Sequence, residues 1–359
     1  MSPGVTAVEG PVLIVGAGLI GTSIAMALDR AQVEVVLADT NAGHLELASA
    51  AAHARAARED ESPSLVVVAV PPSRAAQVLA EASERYPNAT LTDVTSVKGS
   101  VLTDAVTRGA DPRRLVGGHP LAGREVSGPS GARNFVFDDR IWVITPTEQT
   151  ADEHAGRVRR LIATVGAYPM EMSPDAHDEA VALTSHGPQL LSSALAAQLA
   201  LVDASMVRVS GGGLRDMTRI AGSDPQLWSD ILTANAAPVA QVLDAIAHEL
   251  QGAASALRAG DRDAVLDIIA RGNTGSDAVP GKHGGAAARF AVIPVMITDR
   301  PGELAKLFAA SDDVGVSIED VRIEHVLGRP SGLVELSVQP DVSDRLAEVL
   351  RHRGFDVRS

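Results

Sequence analysis

The chain contains no cysteine among its 359 residues, and aromatic residues make up only 3% of it. Without thiols, disulfides, thiolate metal ligands and cysteine nucleophiles are excluded, which fits a reducing cytoplasm. Because aromatic side chains are scarce, the hydrophobic cores must be built from Ala, Val, Leu and Ile, and the 45% hydrophobic content is sufficient for that. We therefore expect a cytoplasmic protein of two or three domains.

Basic charge and long apolar runs are also lacking. The 31 Lys and Arg residues are outnumbered by 45 Asp and Glu residues, which gives a net charge of −14. This balance argues against non-specific binding to nucleic acid or to anionic membranes. The longest apolar helical run, residues 190–202, is interrupted by Ser and Gln and is too short to span a bilayer. We expect neither a nucleic-acid partner nor a membrane partner, and no signal peptide.

Four patterns of sequence divide the chain. In residues 1–172, short apolar runs alternate with helical stretches, which predicts a Rossmann-type doubly wound α/β sheet. Residues 173–272 are rich in Ala and Leu and predict an all-helical domain whose helices can pack on one another or across a dimer interface. Residues 273–290 are Gly-rich and predict a linker. Residues 291–359 show the βαββαβ order of a ferredoxin-like α+β module.

A glycine fingerprint lies between the first predicted strand and the first predicted helix. Gly16 permits a tight turn, Gly18 lets a pyrophosphate approach the backbone, and Gly21 lets the helix pack on the strand. Asp39 ends the next strand, where an acid bonds the ribose 2′-hydroxyl and repels a 2′-phosphate, so NAD is predicted rather than NADP. The alternative is a packing turn that binds nothing. Further cofactor contacts are predicted at Leu19, Ile20, Val70 and Pro71.

Two segments that follow predicted strands carry candidate catalytic residues. They are DVTSVKGS, residues 93–100, and GGHPLAGREVSG, residues 117–128, whose glycine and proline predict a loop. In a parallel sheet both segments leave at the same edge as the cofactor, so Ser96 and His119 are expected to meet near the nicotinamide. Oxidation of an alcohol needs a base, and histidine moves protons near neutral pH. We predict that His119 is this base; a surface position for His119 and a helix N-cap role for Ser96 are the alternatives.

Four linked motifs carry a resemblance that covers most of the chain. DVTSVKGS, GGHPLAGREVSG, SHGPQLLSSAL and LRDMTRIAGSDPQLWSDI together resemble the prephenate/arogenate dehydrogenase family of tyrosine biosynthesis. The segment that begins ITDRPGELAKLF resembles an ACT domain, a module that senses amino acids. The resemblance implies NAD-dependent oxidative decarboxylation of prephenate to 4-hydroxyphenylpyruvate, in which hydride passes to NAD and carbon dioxide leaves. It also implies a homodimer, with residues 173–272 as the domain for substrate binding and dimerisation, and feedback regulation by an aromatic amino acid.

The resemblance also implies roles for individual residues. His119 deprotonates the ring hydroxyl, and Ser96 orients that histidine and the hydroxyl. Arg219 matches an arginine that holds a substrate carboxylate, which suits its two-point geometry. It can equally form a structural ion pair with Asp216 or Glu125. The implied substrate-binding residues, several of which have packing alternatives, are Arg219, His186, Gly212, Glu125, Asp216 and Trp228.

His177 is assigned a structural role. It lies nine residues before His186, off the four-residue spacing of paired metal ligands on a helix, so no metal site is predicted. An effector site is expected at the turn after the first helix of the ACT-like module, at Asp313, Gly315 and Ser317. A purely structural dimerisation module is the alternative. No role is assigned to Lys282 and His283 in the linker.

The sequence leaves three candidate substrates. Prephenate is favoured, and arogenate is the first alternative because an acid at Glu125 can pair with its amine. An amino-substituted prephenate analogue of specialised metabolism is the second. A hydroxyacid dehydrogenase of similar plan needs a lysine base in the helical region, and residues 174–270 contain no lysine. A non-catalytic NAD and amino-acid sensor would not need Ser96, His119 and Arg219 together.

Overall fold

The computed structural model describes residues 7–122, 128–279, 290–325 and 331–358, without the side chains of Glu324 and His325. The chain divides into two compact units, Met1–Ala247 and His248–Ser359. Within the described ranges, every helix is too short or too polar to cross a membrane.

An eight-stranded sheet forms the centre of the first unit. Its strand order is β3-β2-β1-β4-β5-β6-β7-β8, and neighbouring strands are parallel except for β6 and β7. The strands are β1 (Val12–Val15), β2 (Val35–Ala38), β3 (Arg55–Ala56), β4 (Leu65–Val68), β5 (Thr90–Asp93), β6 (Leu115–Pro120), β7 (Ile141–Thr145) and β8 (Tyr168–Glu171). The helices between them are α1 (Leu19–Arg30), α2 (Ala42–Ala51), α3 (Pro72–Arg85), α4 (Gly99–Thr107) and α5 (Asp152–Thr164).

Both faces of this sheet are buried under helices. Alternate residues of β1 enter different cores, with Val12 and Ile14 in one and Leu13 in the other. A strand buried on both faces must be apolar throughout, which is why VLIV and LVVV read as continuous apolar runs. The predicted Rossmann-type doubly wound sheet is confirmed.

The prediction of a loop at residues 117–128 is wrong for its first four residues. Gly117–Pro120 belong to β6 and pair with β7. The glycines serve close packing here. A Cβ atom on Gly118 would lie 2.6 Å from the carbonyl oxygen of Asp93, and one on Gly117 would overlap the hydroxyl of Thr145. Glycine therefore lets β6 lie against its neighbours. Residues 123–127, including Glu125, lie outside the described residues.

The segment after the sheet is helical, as predicted. Ser173 caps its first helix by accepting the N–H of Ala176. The elements are α6 (Pro174–Val181), a π-helical turn (Ala182–His186), α7 (Gly187–Leu199), α8 (Ala204–Val207), α9 (Gly212–Thr218), a 3₁₀ turn (Arg219–Gly222), α10 (Pro225–Ala234), α11 (Ala236–Ala259) and α12 (Arg262–Asp277).

The predicted linker is wrong for its first residues, since α12 continues to Asp277. Asp261 caps this helix by accepting the N–H of Ala264 at 3.0 Å. Glycines inside a helix cost about 1 kcal/mol each relative to alanine, so the glycines of α12 weaken the helix without ending it. Lys282 and His283 lie outside the described residues.

The second unit ends in a small antiparallel sheet with two helices. Its βαββαβ order agrees with the prediction, and its strand order is β10-β11-β9-β12. Inward-facing residues alternate along β9 and β11, for example Val295 and Val334, and form a separate core. The elements are β9 (Ala291–Thr298), α13 (Glu303–Asp312), β10 (Asp320–His325), β11 (Ser331–Val338), α14 (Pro340–His352) and β12 (Asp356–Val357).

Candidate active site

The three fingerprint glycines each meet a different steric demand. Gly16 has φ +110°, and a Cβ on it would collide with the carbonyl group of Ala69. A Cβ on Gly21 would overlap the carbonyl oxygen of Gly16, so helix and turn can approach only without a side chain. A Cβ on Gly18 would meet no atom within 4 Å, and Gly18 precedes α1 with no side-chain cap on its free N–H groups. This open, uncapped helix start fits a pyrophosphate.

Asp39 lies directly after β2 and holds the glycine turn. Its carboxylate accepts the N–H of Ala17 at 2.6 Å and that of Asn41 at 2.7 Å. A carboxylate offers about four acceptor positions, so acceptor capacity remains for ribose hydroxyls. The other predicted cofactor residues surround the turn: Leu19 and Ile20 open α1, Val70 packs beside Gly16, and Pro71 is the N-cap residue of α3.

His119 lies near the end of β6 and contacts a second histidine. Its Nδ1 is 2.8 Å from Nε2 of His177, and the two rings meet edge to face. Nδ1 of His177 is in turn 2.8 Å from Oδ1 of Asp178. Burial lowers the pKa of His119 well below its usual range, and the nearby His177 and Lys98 add to this shift. His119 is therefore neutral near pH 7, the form in which a histidine accepts a proton.

The structure adds a contact that the structural role predicted for His177 did not include. The sequence assigned it a structural role, but it is hydrogen-bonded to the predicted base from a position 58 residues away. Asp178 was also missed. Its two oxygens accept the N–H groups of Lys98 and Gly99, both at 2.8 Å, and so cap α4. The only signal in the sequence was the adjacent pair His177 and Asp178 at the start of a helix.

A buried ion pair supports the strand that carries His119. Lys98 and Asp93 are both fully buried, and Nζ of Lys98 donates to the carboxylate of Asp93. The same ammonium donates to the carbonyl oxygen of Gly118 at 2.7 Å and to Oγ1 of Thr95 at 3.1 Å. Burial lowers the pKa of Lys98, which the charge of Asp93 partly offsets. The ammonium therefore fixes the backbone directly before the predicted base.

Ser96 lies half-buried in the bend between β5 and α4. The N-cap position of α4 is Lys98, and the capping carboxylate belongs to Asp178, so the N-cap alternative for Ser96 is wrong. Because β5 and β6 are parallel neighbours, Ser96 and His119 leave the sheet at the same edge. This is the edge expected for the nicotinamide.

His186 is fully buried behind the histidine pair. The side-chain nitrogen of Asn235 donates to the carbonyl oxygen of Asp178 at 2.8 Å and to Nδ1 of His186 at 3.1 Å. Nδ1 of His186 is thus an acceptor, and its proton is on Nε2. Among the described residues, Nε2 has no hydrogen-bond partner, whereas the ring meets Trp228 edge to face. A buried donor of this kind suits a polar ligand atom.

The remaining predicted substrate residues lie on one neighbouring segment. Gly212 begins α9, Asp216 lies within it, and Arg219 follows it in the exposed 3₁₀ turn. Nε2 of Gln189 on α7 donates to the carbonyl oxygen of Ile220 at 3.0 Å, which ties this turn to the helix after His186.

The burial of His186 predicts a pH-dependent loss of stability. Burial lowers its pKa from 6.5 to about 4, so below pH 6.5 the unfolded state binds more protons than the folded state. Stability from this group is present above pH 6.5 and is lost as pH falls through 4. The loss between pH 7.5 and 5 is about 2 kcal/mol. Urea unfolding at pH 7.5 and at pH 5 measures the free energy of unfolding. The loss of this free energy between the two pH values should be smaller in His186→Gln than in the wild type. His53→Gln, at an exposed site, is the control; an unchanged difference in His186→Gln would contradict the prediction.

Known proteins resemble this chain in sequence and in structure. A probable prephenate dehydrogenase, NovF, of Streptomyces niveus is 35% identical over 97% of this chain and 99% of its own length. The structure of prephenate dehydrogenase from Aquifex aeolicus with hydroxyphenyl propionate and NAD⁺ is 29% identical, has a TM-score of 0.66, and covers 74% of this chain and 98% of its own. Arogenate dehydrogenase from Synechocystis is 25% identical, with a TM-score of 0.64 and coverages of 74% and 98%.

The glycine turn, the acid after β2 and the histidine at the sheet edge are those of an NAD-dependent dehydrogenase. Family models narrow this class. Residues 24–170 match the nucleotide-binding domain of prephenate dehydrogenase, and residues 173–271 match its dimerization domain. The chain belongs to the prephenate dehydrogenase family.

Proposed function

We propose that the protein catalyses the NAD-dependent oxidative decarboxylation of prephenate to 4-hydroxyphenylpyruvate in tyrosine biosynthesis. The observation that carries this proposal is a neutral histidine, His119 on β6, which is hydrogen-bonded to His177 at the edge of the sheet from which the dinucleotide turn also leaves. The family membership and the Aquifex aeolicus neighbour support the same reaction.

The residues of the site have complementary roles in this reaction. NAD, when bound, accepts the hydride from the carbinol carbon. His119 takes the proton of the ring hydroxyl as the hydride leaves, which gives a ring ketone. The ring carboxylate then leaves as carbon dioxide, its bonding electrons complete the aromatic ring, and the ring oxygen takes the proton back to give the phenol. Ser96 orients His119 and the hydroxyl, and Nε2–H of His186 donates to an oxygen of the substrate. Arg219 holds a substrate carboxylate in two-point geometry.

Gly212, Asp216 and Trp228 complete the wall of the proposed pocket. Trp228 limits the position of His186 through its edge contact at 6.1 Å between ring centres. Arogenate is the second candidate substrate, supported by the resemblance to arogenate dehydrogenase from Synechocystis. Glu125, which the sequence places in the predicted loop, is the residue proposed to favour an amine.

The substrate assay is direct. NADH formation should be measured with prephenate and arogenate in parallel, each with and without tyrosine. We expect a rate with prephenate. Arg219→Leu should lower kcat/KM about 10- to 100-fold, because a charged hydrogen bond contributes about 1.5–3 kcal/mol. Arg215→Leu, on the same helical segment, is the matched control and should stay near the wild-type value. A rate with neither substrate, in protein that binds NAD, would contradict the proposal.

A homodimer and three domains are part of the proposal, with boundaries at 1–172, 173–272 and 291–359. The match to a dimerization domain supports the dimer. So do the strongly exposed apolar side chains of Leu201, Met206 and Val209. The lack of cysteine supports a cytoplasmic location.

We further propose that the C-terminal module is an ACT domain that binds an aromatic amino acid. Its βαββαβ order supports this, and the similarity to NovF extends over it. Asp313, Gly315 and Ser317 lie in the turn after α13, where Gly315 has φ +63° and Asp313 pairs with Arg353 at 2.7 Å. Inhibition by tyrosine in the assay above would support this site.

A further inference from the structure

We infer that Asp178 and His177 select the tautomer of His119, so that its Nε2 is the atom that accepts the substrate proton. This inference rests on the proposed function, in which His119 is the base. Neither residue needs to touch the substrate. Both are positioning residues that act through His119.

The selection begins at Asp178, whose carboxylate accepts three hydrogen bonds. Two come from the backbone N–H groups of Lys98 and Gly99, and the third involves Nδ1 of His177, each at 2.8 Å. Although burial alone would raise its pKa, these hydrogen bonds keep the pKa of Asp178 below its usual range. An ionised carboxylate can only accept, so Nδ1 of His177 carries a proton.

The second step follows from the chemistry of a neutral imidazole, which has one donor nitrogen and one acceptor nitrogen. Since Nδ1 of His177 donates, its Nε2 accepts. The partner of that Nε2 is Nδ1 of His119 at 2.8 Å, which must therefore be the donor. The lone pair of His119 is then on Nε2, the nitrogen that this network leaves free.

The anchoring of the network favours selection over simple packing. Asp178 is fixed because its oxygens cap α4, and His177 is only 1% exposed, so neither side chain can turn away. Without an acceptor at position 177, His119 can also place its proton on Nε2, and that form cannot take a proton from the hydroxyl. An aspartate that holds a catalytic histidine in the productive tautomer has the same role in serine proteases.

Kinetics of two variants at position 177 test the inference. His177→Leu removes the acceptor, and we expect kcat to fall at least tenfold while KM for prephenate and the affinity for NAD stay within about twofold. His177→Gln carries a donor and an acceptor in one amide and should recover most of kcat. If both variants lose activity only in proportion to their thermal stability, the role is structural and the inference is overturned.

Nitrogen NMR tests the tautomer itself without any substrate. In protein labelled with ¹⁵N at its ten histidines, His119 is assigned by comparison with His119→Asn. We expect its proton on Nδ1 in the wild type. In Asp178→Asn, the amide N–H can donate to Nδ1 of His177, so that Nε2 of His177 carries the proton. His177 then donates to Nδ1 of His119, and the proton of His119 should move to its Nε2.

The two proposals fail in distinguishable ways. A wild-type His119 that is protonated on Nε2 overturns the inference, even if prephenate is oxidised. A proton on Nδ1 in protein that is inactive with prephenate supports the tautomer assignment and overturns the proposed function. The wild-type spectrum gives this answer even where a variant fails to fold.

Discussion

Replacement of His119 by Asn is expected to lower turnover of prephenate by about 10²- to 10⁴-fold, the range for loss of a general base. An asparagine side chain can still meet His177 but cannot accept a proton from the ring hydroxyl. The glycine turn joins β1 to α1, and Asp39 follows β2; none of these elements contains His119. Binding of NADH, followed by its fluorescence, should therefore be unchanged.

A buried histidine on α5, which packs on the same sheet, supplies the control. His154 bonds Oγ1 of Thr90 at 2.7 Å, at the start of β5, whereas the site follows the end of that strand. His154→Asn should keep near wild-type turnover. If His119→Asn also turns over prephenate at a near-normal rate, His119 is not the base.

Replacement of Lys98 by Met is expected to lower the free energy of unfolding by about 3–5 kcal/mol. The substitution leaves the carboxylate of Asp93 buried without its counter-charge, and the carbonyl oxygen of Gly118 loses a donor. Urea unfolding of the two proteins measures the difference. Because Gly118 precedes His119, turnover should fall as well.

Two further variants show whether the burial of the charge is the cause. Arg159→Met breaks an exposed pair with Glu171 and should cost less than about 1 kcal/mol. Adding Asp93→Asn to Lys98→Met removes the unpaired charge and should restore part of the lost stability. A loss in Lys98→Met no larger than in Arg159→Met would show that the buried pair is not an important determinant of stability.

Local patterns in the sequence were sufficient to predict the glycine turn, the helix that follows it and the position of the acid in the candidate dinucleotide site. The turn from Gly16 to Gly21 and the acid Asp39 belong to consecutive elements, so their spacing carries the geometry. The sheet and the C-terminal βαββαβ order follow for the same reason, because apolar periodicity and turn residues act over a few positions.

The parts that the sequence did not reveal depend on contacts between distant segments. His177 was compared only with positions on its own helix, but its partner is 58 residues away on a strand. A lysine is ordinarily exposed, so the sequence gives no reason to expect Lys98 to be buried. Its burial becomes understandable only when the fold brings the carboxylate of Asp93 and the carbonyl oxygen of Gly118 to its ammonium. The glycines of β6 were interpreted as loop residues, since sequence alone does not distinguish freedom of the backbone from close packing.

The π-helical turn between α6 and α7 restricts the number of residues allowed between two histidines. In an unbroken α-helix, the nine residues from His177 to His186 would rotate the side chains by about half a turn, onto opposite faces. A π-helical turn takes up one extra residue, which reduces this to about a quarter turn. A single insertion within Ala182–His186 would therefore turn His186 to the opposite face although every functional residue was kept, whereas a single deletion would convert the π-helical turn to regular α-helix and leave the angle about the same. In this segment, homologous chains should tolerate the loss of one residue far better than the gain of one.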